Sequence, residues 1–191
     1  MSSRPDLVGV VGSARALGSI ALLTGATGAL PVLLGRTGAL GGAADALLGL
    51  VLFGLPLAWY GGPRRRAWYR DRLEVAVPVP AGSTVTPPEE TFPRVTRPLS
   101  KVVAVVLVLE LLVAFDTGVP VGAAFAGVGV GMLSQAQWLA RQERARGIRL
   151  FCPAAPARVA ADDPNLEVYR AVPFYTLDAD AADAADPSSA A

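Results

Sequence analysis

Lys101-Val102-Val103-Ala104-Val105-Val106-Leu107-Val108-Leu109-Glu110-Leu111-Leu112-Val113-Ala114-Phe115-Asp116-Thr117-Gly118-Val119-Pro120 is the stretch on which the reading of this chain turns. One carboxylate interrupts a run of Val, Leu, Ala and Phe, a turn sequence follows, and apolar residues resume as far as Leu139. A helix rises 1.5 Å per residue, so a bilayer core about 30 Å thick needs roughly 20 residues. The block is too long for one crossing. Asp116-Thr117-Gly118-Val119-Pro120 reads as a turn in which Thr117 or Asp116 caps a helix starting near Pro120. The stretch therefore predicts a helical hairpin with arms 101–115 and 120–139. The first arm is short for a full span, which leaves local bilayer thinning or a reentrant arrangement open.

Upstream, residues 16–60 repeat the pattern: an apolar arm 16–35, the tight turn Gly35-Arg36-Thr37-Gly38, and a second arm 39–60. A signal peptide would need a small-x-small cleavage site in a polar region, whereas another apolar helix begins at once. Composition agrees with spans. The 191 residues have a mean hydropathy of +0.44 with only 17% charged, too apolar for an ordinary water-soluble domain. Abundant Ala and Arg, with Asn and Ile scarce, suggest a GC-rich bacterial source.

Orientation follows from where the basic residues lie. Of the 17 Lys and Arg, only Arg36 falls in a short turn; the others flank the apolar blocks, in the N-terminus, the 61–100 loop and the C-terminal tail, with Lys101 at the edge of the second block. The positive-inside rule then puts both termini and the loop in the cytoplasm. Trp59, Tyr60, Trp68, Tyr69 and Trp138 fall where the spans would leave the bilayer, as an interfacial aromatic belt would.

The expected fold is an all-α integral membrane protein of four transmembrane helices arranged as two hairpins. A small extended or β-rich cytoplasmic cap would come from the central loop and the tail. The expected divisions are a cytoplasmic N-terminus 1–15, hairpins 16–60 and 101–139, a basic, Pro-rich loop 61–100, a tail 140–177 and a disordered acidic end 178–191. Within the loop, Leu73–Pro80 reads as extended and 80–98 shows no helical period. In the tail, Ala140–Gly147 reads as a basic helix and both Ile148–Cys152 and Leu166–Leu177 as strand-like. These pieces are too few to fold independently. Arg72-Leu73-Glu74-Val75 and Arg149-Leu150-Phe151-Cys152 each follow a Trp and a basic run, a faint similarity that a duplicated hairpin would produce.

Glu110 is the sharpest functional candidate. A charge at the centre of a span costs about 3 kcal/mol on insertion scales, so such residues face a bundle interior, water or a partner. Three readings stand: a proton or cation site, a contact to another chain, or a neutral Glu that helps helices pack. Asp45 falls within about a turn of the same depth, near enough to share a proton or cation with Glu110, or hydrated and paired with Arg36. Small residues at fourfold spacing (Ala21, Gly25, Ala29; Gly38, Gly42, Ala46; Ala123, Gly127, Gly131) allow close helix packing within the chain or against a partner. Arg64, Arg65, Arg66, Arg70 and Arg72, interleaved with Trp68 and Tyr69, suit anionic lipid headgroups at about 1 kcal/mol each. Nucleic-acid binding is not implied by so short a juxtamembrane cluster.

The glycines at 9, 12 and 18 have the wrong spacing for a dinucleotide turn. No histidine is present and Cys152 is the single cysteine, so no metal site, cofactor or nucleophile–base set is implied. The expectation is a non-catalytic bacterial inner-membrane protein: an accessory, assembly or interaction subunit binding lipids and either a protein partner or its own copies. The alternative is a small oligomeric transporter or ion- or proton-conducting protein that uses Glu110 and Asp45.

Overall fold

The computed structural model describes residues 6–35, 38, 40–154, 160, 163 and 165–179. The chain order is β1 (Leu7–Gly9), α1 (Val10–Gly28), α2 (Leu30–Leu33), α3 (Gly42–Gly61), α4 (Pro63–Glu74), β2 (Val77–Pro78) and α5 (Pro88–Thr96). After a 3-10 turn at Arg97–Leu99 come α6 (Ser100–Thr117), α7 (Gly122–Arg146), β3 (Ile148–Pro153), α8 (Leu166–Ala171) and β4 (Tyr175–Asp178). Val10–Gly28, Gly42–Glu74 and Pro88–Thr117 are long and apolar enough to cross a membrane. At 25 residues α7 is the longest helix among the described residues, but Ser134, Gln135, Gln137 and its basic end lower its apolarity.

Local chemistry sets the boundaries. The first helix starts at Val10, earlier than the expected 16, because β1 runs straight into it and the Ser13 hydroxyl donates to the Gly9 carbonyl at 2.9 Å. It breaks after Gly28 rather than reaching 35. Pro31 has no N–H for the Thr27 carbonyl, and its ring crowds that group. Gly62 is extended and Pro63 takes the first position of α4, so α3 ends at a bend and helix resumes. Gly118 closes α6 in the left-handed region (φ 68°), its N–H donating to Ala114 at 3.0 Å. Thr117 does not cap the next helix. Its hydroxyl donates back to Val113 at 2.7 Å and accepts the Val119 N–H at 3.2 Å.

Four expectations about the segments outside the apolar blocks are corrected. Leu73 and Glu74 are helical, since α4 continues to Glu74 and only Val77–Pro78 of the expected extended run is strand. The 80–98 stretch contains α5, started by Pro88 at its N-terminus and favoured by Glu89 and Glu90 in its first turn. Leu166–Ala171 is a helix, with only Tyr175–Asp178 extended. The two similar tetrapeptides also differ: 72–74 is helix and 149–152 is strand. Arg36, Thr37 and the acidic end from residue 180 onward lie outside the described residues.

The chain divides into two compact units. A sheet unit takes the described parts of Met1–Ser13, Ala67–Pro98 and Ala136–Ala191; a helix unit takes Ala14–Arg66 and Leu99–Gln135. The sheet unit holds a four-stranded sheet of order β1-β3-β4-β2. β1 pairs antiparallel with β3 (Leu7 opposite Pro153), β3 antiparallel with β4 (Phe151 opposite Tyr175), and β2 parallel with β4 (Val77 opposite Tyr175). Leu7 also exchanges 2.8 Å bonds with Thr84 and Thr86, which covers the outer edge of β1. Val10, Val11, Leu73, Leu139, Leu150 and Phe174 form the core, with Trp68, Tyr69 and Trp138 packed against it. Three of the five expected interfacial aromatics therefore serve this core; Trp59, in the helix unit, stays exposed.

Candidate functional site

The helix unit is organised by the glycines of α7, which present two seams. Towards α1, a Cβ at Gly129 would meet Leu22 and the Gly18 carbonyl at 2.8 Å, and a Cβ at Gly25 would meet the Gly122 carbonyl at 2.6 Å and Ala126 Cα at 2.8 Å. Towards α3, Gly127 lies against the Phe53 backbone, and a Cβ at Gly131 would come within 2.9 Å of Tyr60 Cβ. Only residues without a side chain allow backbones this close, and dispersion and weak contacts between the main chains then hold the seams. Gly25, Gly127 and Gly131 thus pack as a small-residue stripe would. Ala123 is half-buried, its N–H donating to Pro120 at 3.0 Å.

Two expected packing residues do not pack helices. Gly38 precedes α3 and sits against the Asp45 carboxylate, and Gly42, at φ 43°, has open space where a Cβ would stand. Fourfold spacing alone does not reveal the seam of Gly18 and Gly25 with Gly122, Ala126 and Gly129. Sevenfold spacing of Gly18 with Gly25 and of Gly122 with Gly129 was the available signal.

Glu110 stands where α6 meets the end of α1 and the start of α7. It is 3% exposed, and neither carboxylate oxygen has a hydrogen-bond partner. A Cβ at Gly28 would collide with the carboxyl, and one at Gly122 would lie 2.8 Å from Oε1. The two glycines make the room this side chain occupies. Along α6 only Glu110 and Ala114, one turn apart, are buried. Val102, Val105, Val108, Leu109, Leu112 and Val113 are exposed, so the helix turns its one central charge inward and its aliphatic residues outward. A contact from Glu110 to another chain would require this seam to open.

Asp45 occupies the first turn of α3, where Oδ1 accepts the Leu40 N–H at 3.4 Å, and no hydrogen bond joins it to Glu110. A carboxylate there is favoured by the free N–H groups and dipole of the helix start. No group of three or more His, Cys, Asp and Glu suited to a metal exists among the described residues.

The arginine cluster divides as α4 turns. Arg64 lies over the Trp59 ring at 5.9 Å and is exposed, as is Arg70. Arg65 is half-buried and has a partner. Arg66 is half-buried and reaches the Ser134 hydroxyl at 3.4 Å, while its Nε is buried without a partner. Arg72 donates to the Ala171 and Val172 carbonyls at the end of α8 and stacks over Trp68 at 5.2 Å, so it serves the sheet unit. Gln135, which nothing in the sequence marks as buried, lies inside the helix unit with its amide unpartnered. In the sheet unit, buried Glu143 accepts the Leu150 N–H at 2.8 Å, and burial pushes the Cys152 thiol up to about 11.

Comparison of the chain with protein-family models, curated proteins and solved structures gives no match.

Proposed function

We propose that the chain is a polytopic membrane protein with four crossings, both ends and the 61–100 loop on the cytoplasmic face. In it, the helices and the cytoplasmic segments serve assembly or interaction rather than catalysis. The observation that carries the topology is the sheet. Its strands precede α1, follow α4 and follow α7. Strands of one hydrogen-bonded sheet lie on one side of a bilayer, so the chain between them crosses an even number of times. Three crossings are incompatible with that parity, and α7 supplies the fourth. Its weaker apolarity is tolerable because its glycine faces pack on α1 and α3 rather than on lipid. The concentration of Lys and Arg outside the apolar blocks supports the cytoplasmic assignment.

The interaction role is supported by α3 and α6. α3 has no buried residue, and its Leu47, Leu50 and Leu55 are exposed along with the aliphatic residues of α6. Such surfaces suit lipid and a partner helix. The topology is tested by single cysteines in a Cys152→Ser background, labelled with an impermeant maleimide in intact cells. Leu40→Cys and Asp116→Cys should label directly, and Glu89→Cys and Glu167→Cys only after permeabilisation. Glu89 and Glu167 on opposite sides would overturn the parity argument. A photocrosslinker at Leu47 or Val105 should capture another membrane protein, and recovery of monomer alone would count against the interaction role. The second reading, a small oligomeric transporter or proton conductor, is favoured by the buried Glu110. It requires ion or proton flux in proteoliposomes that Glu110→Gln abolishes.

A further inference from the structure

We propose that Glu110 is a proton-binding site: its carboxyl loads and releases one proton within the seam made by α6, the last turn of α1 and the first turn of α7. The seam belongs to the helix unit, which the proposed function embeds in the membrane; the site itself stands on the geometry around Glu110. The carboxyl is sealed from solvent, and both oxygens lack a donor. Beyond Gly122, which borders the carboxyl, the Ala123 and Ala124 N–H groups donate to Pro120 and Val121 at 3.0 and 2.9 Å. The start of α7 is thus folded back on its own turn instead of being capped by Glu110.

Among the described residues no charge faces Glu110 from the elements around it. In α1 the one ionisable residue is Arg15, more than three turns before Gly28. α2, which packs beside α6, has none, and in α7 the ionisable residues begin at Arg141, more than five turns beyond Gly122. On α6 itself Lys101 and Asp116 are both exposed and lie more than a turn away, and Asp45 is held at the start of α3. A buried carboxylate with neither counter-charge nor hydrogen bonds is neutralised by binding a cation. A metal ion needs several oxygen ligands at once, and Glu110 brings a single carboxylate to a seam too tight for a methyl group at Gly28. A proton needs only one oxygen and no added volume.

The test is infrared difference spectroscopy of the full chain in lipid nanodiscs, between acid and alkaline pH. The expected result is a carboxylic C=O stretching band that disappears as the pH rises, is missing from Glu110→Gln and is shifted in Glu110→Asp. The wild-type spectrum and the Gly122→Ala variant carry the test if Glu110→Gln does not fold. The added methyl would stand 2.8 Å from Oε1, so it should shift the same band. A wild type that shows no titrating carboxylic band, or one that persists in folded Glu110→Gln, overturns the proposal. A spin label at Leu112→Cys, relaxed by lipid-dissolved oxygen or by an aqueous nickel chelate, reports separately whether α6 lies in lipid. A titrating band with the label in water would leave the proton site standing and remove the membrane reading.

Discussion

Replacing Gly25 with alanine should destabilise the helix unit by about 1–3 kcal/mol, the range for overpacking a well-packed site. The new methyl would stand 2.6 Å from the Gly122 carbonyl oxygen and 2.8 Å from Ala126 Cα, where ordinary contact begins at 3.4 Å. These atoms, and the still closer Ala126 N, are backbone, so no rotamer change relieves the clash and α1 must retreat from α7 by about 1 Å. A gap of that size forfeits roughly a quarter to a half of each dispersion contact along the seam, including those of Gly18 with Leu133. The equilibrium constant for unfolding should rise about 5- to 150-fold. Gly54→Ala is the control, because no atom lies within 4 Å of a Cβ there and helix propensity favours the change. Reversible unfolding in mixed micelles at increasing SDS fraction, followed by near-UV circular dichroism, measures both. If Gly25→Ala falls within about 0.5 kcal/mol of Gly54→Ala, the seam is looser than described and the reasoning fails.

Cys152, pushed from 9.0 to about 11, should react with thiol reagents at pH 8 about a hundredfold slower in the folded chain than in urea. Its folded value lies above its unfolded one. Burial of the neutral thiol therefore adds stability below pH 9 that is lost as pH rises through about 11, and equal labelling rates would refute this. Leu150→Ala removes a fully buried side chain from the sheet unit's core and should cost about 2–5 kcal/mol by denaturant unfolding. Glu143→Ala strands the Leu150 N–H and should cost about 1–3 kcal/mol, whereas Glu143→Gln keeps an acceptor and should cost less. Arg70→Ala, at an exposed position of α4, should change stability by less than about 0.5 kcal/mol while weakening binding to anionic vesicles.

The apolar helices were legible because length and composition dictate them. The Val102–Phe115 run, with the Gly118 turn behind it, needs no tertiary information to be read as helix. The sheet was harder. Leu7–Gly9 is three residues long and extended only because β3 and the Thr84 and Thr86 backbone groups pair with it, partners far away in sequence. α4 reads as loop from sequence because its polar, arginine-rich surface hides a single buried leucine, Leu73. Glu110 stood out at once as a lone charge in an aliphatic run. Its neighbours Gly28 and Gly122 did not, since each looks like an ordinary helix-end glycine until the three are brought together. Depth along the chain brings Asp45 near the level of Glu110 but says nothing about direction around the helix axis, and no hydrogen bond joins the two.

The pairing of Leu7 with Pro153 has a consequence for how the protein is made. The first strand leaves the ribosome before any of the apolar helices, yet its partner strand emerges only after all of them. Until then Leu7 and Val8, both buried in the finished sheet, remain exposed together with their backbone donors and acceptors. A chain stalled anywhere before residue 148 keeps that edge open, available to chaperones and proteases that recognise unpaired strands. Closure of the sheet therefore waits until every helix from α1 to α7 has been synthesised.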